Sequence, residues 1–393
     1  MLRIPDRLGN ENITFHYLND QEDYREYQEF IQSHSALGLD TESTGINCYR
    51  PGWRLRTFQI GNATDSYVVP ARRKVLIGWT MEQPINWIGH NGPHDIRSID
   101  QFLGYATGIR CAGETYIPSH HNDSRNQQEG GTGHGLKELA IAYVSRDAGK
   151  WETALKAEFK KITIPIPGEV YKSGKRKGEP KVRRARLDEG WSLIAPDNPA
   201  YIAYAAADPL LTYRVWKYYQ RVVRAQYELY QFDHKIQTIA DTLQRRAIKL
   251  DVPYTQRLSA AYLSRANKFI ERANVYGCGN INSGAQIAST IQRLGETLTH
   301  RTPTGQFKTD DGVLRGLAER SPILAVKDFI GCVLGAKQLL KRRENYTEAM
   351  LREMDADGRI HPSINTLGAR TTRMSVSNPP LQQLPTKDRE DEA

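Results

Sequence analysis

The chain has 393 residues, 39% hydrophobic and 25% charged, enough for two or three domains with real cores. No apolar run approaches the ~20 residues of a membrane span, and no apolar signal core opens the chain, so neither membrane insertion nor secretion is expected. The formal net charge of +9 is concentrated, because residues 156–186 hold eleven Lys or Arg against three Glu, a balance of +8. This tract, with Lys175, Arg176 and Lys177 between glycines, reads as a loop or arm that meets polyanions; the plainer alternative is a solvated insertion.

In chain order, residues up to about 30 hold a helical pattern (Tyr24, Tyr27, Phe30, Ile31) that leads into Ser35–Gly45. Small and apolar residues there precede Asp40-Thr41-Glu42, and Thr44-Gly45 marks a turn, so the stretch is expected to be a buried strand opening into a crevice. Side chains alternate along a strand, and Asp40 and Glu42 therefore project together; such a pair repels unless a cation or a proton lies between. An isolated Asp-x-Glu is more often a solvated pair, so a site requires further acids. Strand patterns at Arg56–Ile60, Ser66–Val69 and Ile85–Gly89 imply a mixed sheet. Asn91 or Pro93 is placed to start a helix carrying Asp95. Asn122–Gly135 is polar and Gly-rich, hence loop, with His120, His121 and His134 expected at the surface; Gly135 then opens another helix. Cys48, Cys111, Cys278 and Cys332 are scattered without a C-x-x-C and read as free thiols of a reducing compartment.

From about Tyr201 the pattern is helical: one long helix to Leu243, then segments at Leu258–Asn274, Ala285–Leu294, Gly312–Glu319 and Leu324–Met354. Tyr204 and Asp208 stand at i and i+4 and share a helical face. Tyr218, Tyr219, Tyr227 and Tyr230 recur at helical spacing and are read as core. Lys341 and Arg342 are candidates for phosphate contacts or, equally, part of a solvated face.

Asp40-x-Glu42, then Asn91-x-x-x-Asp95, then Tyr204-x-x-x-Asp208 resembles the DEDD superfamily of 3′–5′ exonucleases in its tyrosine-bearing branch. The resemblance implies two Mg²⁺ ions, with Mn²⁺ able to substitute, on Asp40, Glu42, Asp95 and Asp208. It also implies that Asp40 is shared, that Glu42 and Asp208 serve the water-activating side and Asp95 the leaving-group side, and that Tyr204 touches the water. His94 stands where relatives usually carry an aromatic residue.

Gly368-Ala369-Arg370-Thr371-Thr372-Arg373-Met374-Ser375-Val376-Ser377-Asn378-Pro379-Pro380-Leu381-Gln382-Gln383-Leu384-Pro385 is similar to a signature of family A DNA polymerases, with Thr372 for the usual glycine and Pro380 for the usual second asparagine. Arg246–Asp251, Ile281–Gln286 and Gly358–Pro362 extend the likeness, which is to the compact bacteriophage type. It implies an α/β, ribonuclease H-like mixed-sheet exonuclease domain (1–220), a mainly helical thumb (221–350) and an incomplete palm (351–393). DNA, as single-stranded 3′ ends and as primer-template duplex, is then expected at Asn91, Lys175, Arg176, Lys177, Asn282, Ser283, Lys341, Arg342, Arg373 and Gln382. Because the chain stops before the palm aspartates, it is expected to trim DNA 3′ ends in proofreading without polymerising. A separate polypeptide carrying the later motifs is the expected partner, in the cytoplasm of the host cell if the gene is a phage's. A stand-alone RNA- or DNA-trimming exonuclease and a non-catalytic DNA-binding subunit are the alternatives; matched RNA and DNA substrates decide the first and a nuclease assay the second.

Overall fold

The structure, a computed structural model, describes residues 1–19 and 24–384. Pro385, which closes the polymerase-like signature, lies outside the described residues. The chain divides into two compact units: Met1–Arg246 with Ile364–Ser375, and Ala247–Ser363 with the segment from Val376 onward.

The first unit begins with β1 (Leu2–Leu8) and β2 (Glu11–Tyr17), an antiparallel hairpin turning on Gly9-Asn10, where Gly9 takes φ 61°. It then runs through α1 (Tyr24–Gln32), β3 (Ala36–Ser43), β4 (Leu55–Gly61), β5 (Asp65–Pro70), α2 (Lys74–Met81), β6 (Asn86–Gly89) and α3 (Pro93–Leu103). Next come β7 (Gly113–Glu114), α4 (Tyr116–Asn122), α5 (Leu136–Tyr143), α6 (Lys150–Phe159), β8 (Thr163–Val170), β9 (Pro180–Arg184), α7 (Leu187–Leu193), α8 (Pro199–Ala225) and α9 (Tyr227–Arg246). The opening hairpin corrects the expectation of helix up to residue 30. Ile13, Phe15 and Tyr17 are buried at a spacing of two, while Arg3, Asp6 and Arg7 suit an edge strand.

The sheet runs β1-β2-β5-β4-β3-β6-β7 and is mixed: β3 pairs antiparallel with β4 and parallel with β6. Alternation along β3 divides its side chains between two cores. Leu37 and Leu39 join Phe58, Ile60, Trp87, Ile96 and Ile99 on the side of α1 to α3. Gly38, Asp40 and Glu42 face the other way, toward α8, whose Ala205, Ala206 and Leu210 pack with Phe15, Tyr17 and Val68. Gly38 permits the approach: a Cβ there would lie 2.0 Å from the Pro209 carbonyl oxygen.

The expected single helix from Tyr201 to Leu243 is two, broken at Gln226 (φ −127°, ψ 39°). The second, α9, folds back onto α3. Arg97 pairs with Asp241, and Arg245 bridges Asp241 (2.8 Å) and Asp100 (2.7 Å), all within the first unit. Tyr219 and Tyr230 are core as expected, whereas Tyr227 is exposed because it opens α9 on the outer side of the break. Most of the basic tract is a hairpin of β8 and β9 rather than an unstructured arm, with Lys175, Arg176 and Lys177 in its exposed connection. The four cysteines are free and buried.

The second unit contains β10 (Ile248–Lys249), α10 (Val252–Val275), α11 (Gly284–Arg293), α12 (Asp311–Arg320) and α13 (Leu324–Arg342). A widened π turn over Arg343–Glu348 leads to α14 (Ala349–Glu353), and β11 (Arg359–Ile360) pairs with β10. Val326, Phe329, Ile330, Val333 and Ala336 form one stripe of α13, packed with Ile287, Ile291, Leu314 and Leu317. Among the described residues, no helix is long and apolar enough to cross a membrane.

Candidate active site

Three elements bring the acids together. β3 carries Asp40 and Glu42 toward α8, which presents Asp208 from its third turn; oxygens of these three carboxylates lie within 4.8 Å of one another. Asp95 arrives from the other side of β3. Pro93 starts α3 in the first turn, where a fixed φ and a missing N–H cost nothing, and Asp95 follows within that turn. Its Oδ1 accepts the hydroxyl of Thr41 at 2.6 Å, and Thr41 lies between Asp40 and Glu42.

The loop that delivers Asp95 is itself held. Asn91, at φ 62°, and Gly92 donate their backbone N–H groups to the two oxygens of Glu114, at 2.7 and 2.8 Å, and the Tyr116 N–H adds a third bond at 3.1 Å. Glu114 is fully buried, and burial pushes its carboxyl up to about 7. Its three backbone hydrogen bonds fix the turn.

Crowding and burial shape the charges of the cluster. Burial pushes Asp40 up to about 7, opposed by the Lys137 ammonium. Glu42 is raised well above the ordinary range by burial and then by Asp40, and Asp95 is raised by burial and then by Asp40. Asp40 Oδ2 is buried without a hydrogen-bond partner. Asp208 Oδ1 likewise lacks a hydrogen-bond partner, and crowded carboxylate oxygens of this kind form a donor set suited to a hard divalent cation. No soft or imidazole ligand belongs to the group of three. His90 and His94 are both pushed down to about 4 by burial and stay neutral.

Tyr204 lies one turn before Asp208, its ring edge against Trp191 at 5.4 Å. Burial first, then Glu42 and Asp40, raise its phenol far above the ordinary value, so it remains a proton donor. Lys137, in the first turn of α5, has its Nζ paired with Asp208 and 4.5 Å from the centre of the Tyr204 ring. Neither Lys137 nor Glu114 stood out in the sequence. A lysine at a helix start is ordinary, and only tertiary contacts set it among the acids.

The remaining expected DNA contacts are dispersed. Asn91 is exposed at the turn before α3. In the connection between β8 and β9, Arg176 pairs with Glu179 at 2.7 Å, while Lys175 and Lys177 are exposed without an ion-pair partner among the described residues. In the second unit, Ser283 caps α11 by accepting the Gln286 N–H at 3.3 Å, and the N–H of Asn282 donates to Asn280 at 2.9 Å. Lys341 is exposed and Arg342 half-buried at the end of α13. Arg373 is exposed, and Gln382 accepts the Val376 N–H at 3.1 Å. Leu381 is half-buried and Leu384 exposed. The histidines expected at the surface are mostly enclosed: His120 is buried on α4 and stacked on His134 (3.6 Å between centroids), and His121 bonds Asp233 at 2.8 Å. The loop folds back over α4, which a polar composition does not reveal.

Comparison with known proteins agrees with this geometry. Residues 15–224 match the model of the 3′-5′ exonuclease family, and residues 252–393 match that of DNA polymerase family A. The chain is 27% identical over 398 residues to the DNA polymerase of Mycobacterium phage D29 and 28% identical over 409 residues to that of Mycobacterium phage L5. Each alignment covers 99% of this chain and 62% of the phage protein, so the chain spans less than two thirds of their length. The POL domain of Pol1 from M. smegmatis, solved in complex with DNA primer-template and dNTP, shares the fold with a TM-score of 0.57 and 14% identity, over 95% of this chain and 56% of that one. With its acids arranged on a mixed sheet and both segments matched, the chain belongs to the 3′–5′ exonuclease family, joined to a segment of DNA polymerase family A.

Proposed function

We propose that the first unit hydrolyses the 3′-terminal phosphodiester of DNA, as the proofreading activity of a phage-type family A polymerase. The observation that carries this reading is the convergence of Asp40, Glu42 and Asp208 within 4.8 Å, with Asp95 tied to the same strand through Thr41. These four carboxylates would hold two Mg²⁺ ions, or Mn²⁺ in their place. When bound, the cations supply Lewis acidity and neutralise charge at the phosphodiester. Tyr204 keeps its proton and orients the attacking water by a hydrogen bond, and Glu114 holds the turn that aims Asp95. Retention of all four acids and of the tyrosine favours catalysis over a purely binding role. The second unit and the exposed basic connection at Lys175 and Lys177 are assigned to holding DNA, and template-directed synthesis is not among the activities proposed for these 393 residues.

The test uses 5′-labelled single-stranded DNA with Mg²⁺. A ladder shortening from the 3′ end, release of 5′-mononucleotides and complete arrest by EDTA are expected. Faster trimming of a matched RNA would favour the stand-alone RNA-trimming alternative, and an unchanged substrate would refute hydrolysis.

A further inference from the structure

The acid cluster already contains a cation of the protein's own. The first turn of α5 is fixed by Glu138, which accepts the Gly135 N–H at 2.9 Å, and this places Lys137 with its side chain only 15% exposed. Its Nζ meets Asp208 Oδ1 as an ion pair, yet neither atom has a hydrogen-bond partner of good geometry. The same ammonium acts on Asp40 and Glu42 and stands over the Tyr204 ring, 4.5 Å from its centre.

We propose that Lys137 is a built-in counter-ion that holds the site closed in the metal-free protein and competes with the divalent cation for Asp208. The proposal rests on the hydrolytic reading only in taking the four acids as the cation site. Gathered carboxylates without compensation are costly, and one ammonium relieves part of that cost. A divalent ion relieves more, but it repels an ammonium held on the same Asp208 oxygen, so the two occupancies exclude each other. The aromatic face of Tyr204 offers the displaced ammonium a nearby resting place. The exchange weakens cation binding in the absence of DNA. Substrate phosphates bring negative charge that tips it toward the metal, so loading is tied to DNA arrival. Coupling of this kind is reciprocal: whatever Lys137 takes from metal affinity, the metal takes from the ion pair.

The experiment measures Mn²⁺ binding to the DNA-free 393-residue chain by calorimetry, with thermal melting in EDTA and in saturating Mn²⁺. Lys137→Met and Lys137→Gln are compared with wild type and with Lys137→Arg. Both neutral variants are expected to bind Mn²⁺ roughly tenfold more tightly, within the ordinary range of coupling between sites. They are also expected to melt below wild type in EDTA and to recover in Mn²⁺, while Lys137→Arg stays near wild type in both. A wild type that binds Mn²⁺ with neutral variants matching it within about twofold, or binding more weakly, overturns the competition and leaves the cation site standing. A wild type that binds no Mn²⁺ overturns the cation site and the competition together.

Discussion

Tyr204 and Asp208 share a face of α8 but are suited to different work. A carboxylate can hold a hard cation, whereas a phenol that burial and the charges of Glu42 and Asp40 keep protonated can only donate or orient. Tyr204→Phe is therefore expected to lower the hydrolysis rate on the order of 10 to 10³-fold, as for removal of one positioned hydrogen bond. Mn²⁺ affinity should be unchanged, and a loss as deep as that of Asp208→Ala with weakened Mn²⁺ binding would contradict the role. Asp40, Glu42, Tyr204 and Asp208 were legible in the sequence because a period of two and a spacing of four place each pair on one face without tertiary knowledge. Thr41 was legible only as the residue between two acids. Its bond to Asp95, the Glu114 clamp and the Lys137 ion pair each join residues distant in sequence.

At the scale of elements, the site depends on how closely α8 lies on β3. Pro209 interrupts the helical hydrogen bonding and Gly38 admits its carbonyl, so the two backbones meet beside Asp208. Gly38→Ala must push α8 away from the strand. The expected cost is about 1 to 3 kcal/mol of stability, with a loss of hydrolysis larger than that destabilisation explains, read by melting and by rate at a temperature where the variant is folded. An unchanged rate would show that the separation of α8 and β3 does not set the geometry. The hairpin of β8 and β9 makes a different demand. Replacing Lys175, Arg176 and Lys177 with Ala should make the slope of log K against log salt on single strands shallower by up to about 2, and an unchanged slope would return the hairpin to a solvated insertion. The strands of the sheet from β3 to β6 could be read from short apolar runs ending in turn residues, with alternation in β4. The opening hairpin was missed although Ile13, Phe15 and Tyr17 alternate, because charged β1 carries no such pattern and the helical spacing of Tyr24 to Ile31 dominates the first thirty residues.

For the molecule as a whole, a second link joins the acids to stability. In the metal-free protein Asp40, Glu42 and Asp95 resist ionising together, since each is buried and Glu42 and Asp95 also feel Asp40. A cation that binds the folded site and not the unfolded chain should raise stability by about 2.7 kcal/mol at a concentration one hundred times its dissociation constant. The rise is measured by melting against Mn²⁺ concentration, and a melting temperature indifferent to Mn²⁺ would contradict a cation site. The change from mixed strands to helices was visible in the sequence, whereas the ion pairs of α9 with α3, which lie within the first unit, join residues far apart in the chain and were not.

Whether the four acids are hydrolytic machinery is decided by single-turnover trimming of 5′-labelled single-stranded DNA by wild type and Asp40→Ala in saturating Mg²⁺. Asp40 belongs to the group of three carboxylates proposed to hold the cations, so its loss should slow release of the 3′-terminal nucleotide by about 10³-fold or more while the circular dichroism spectrum is retained. Trimming by Asp40→Ala within about tenfold of wild type would show that the acids do not carry the hydrolysis.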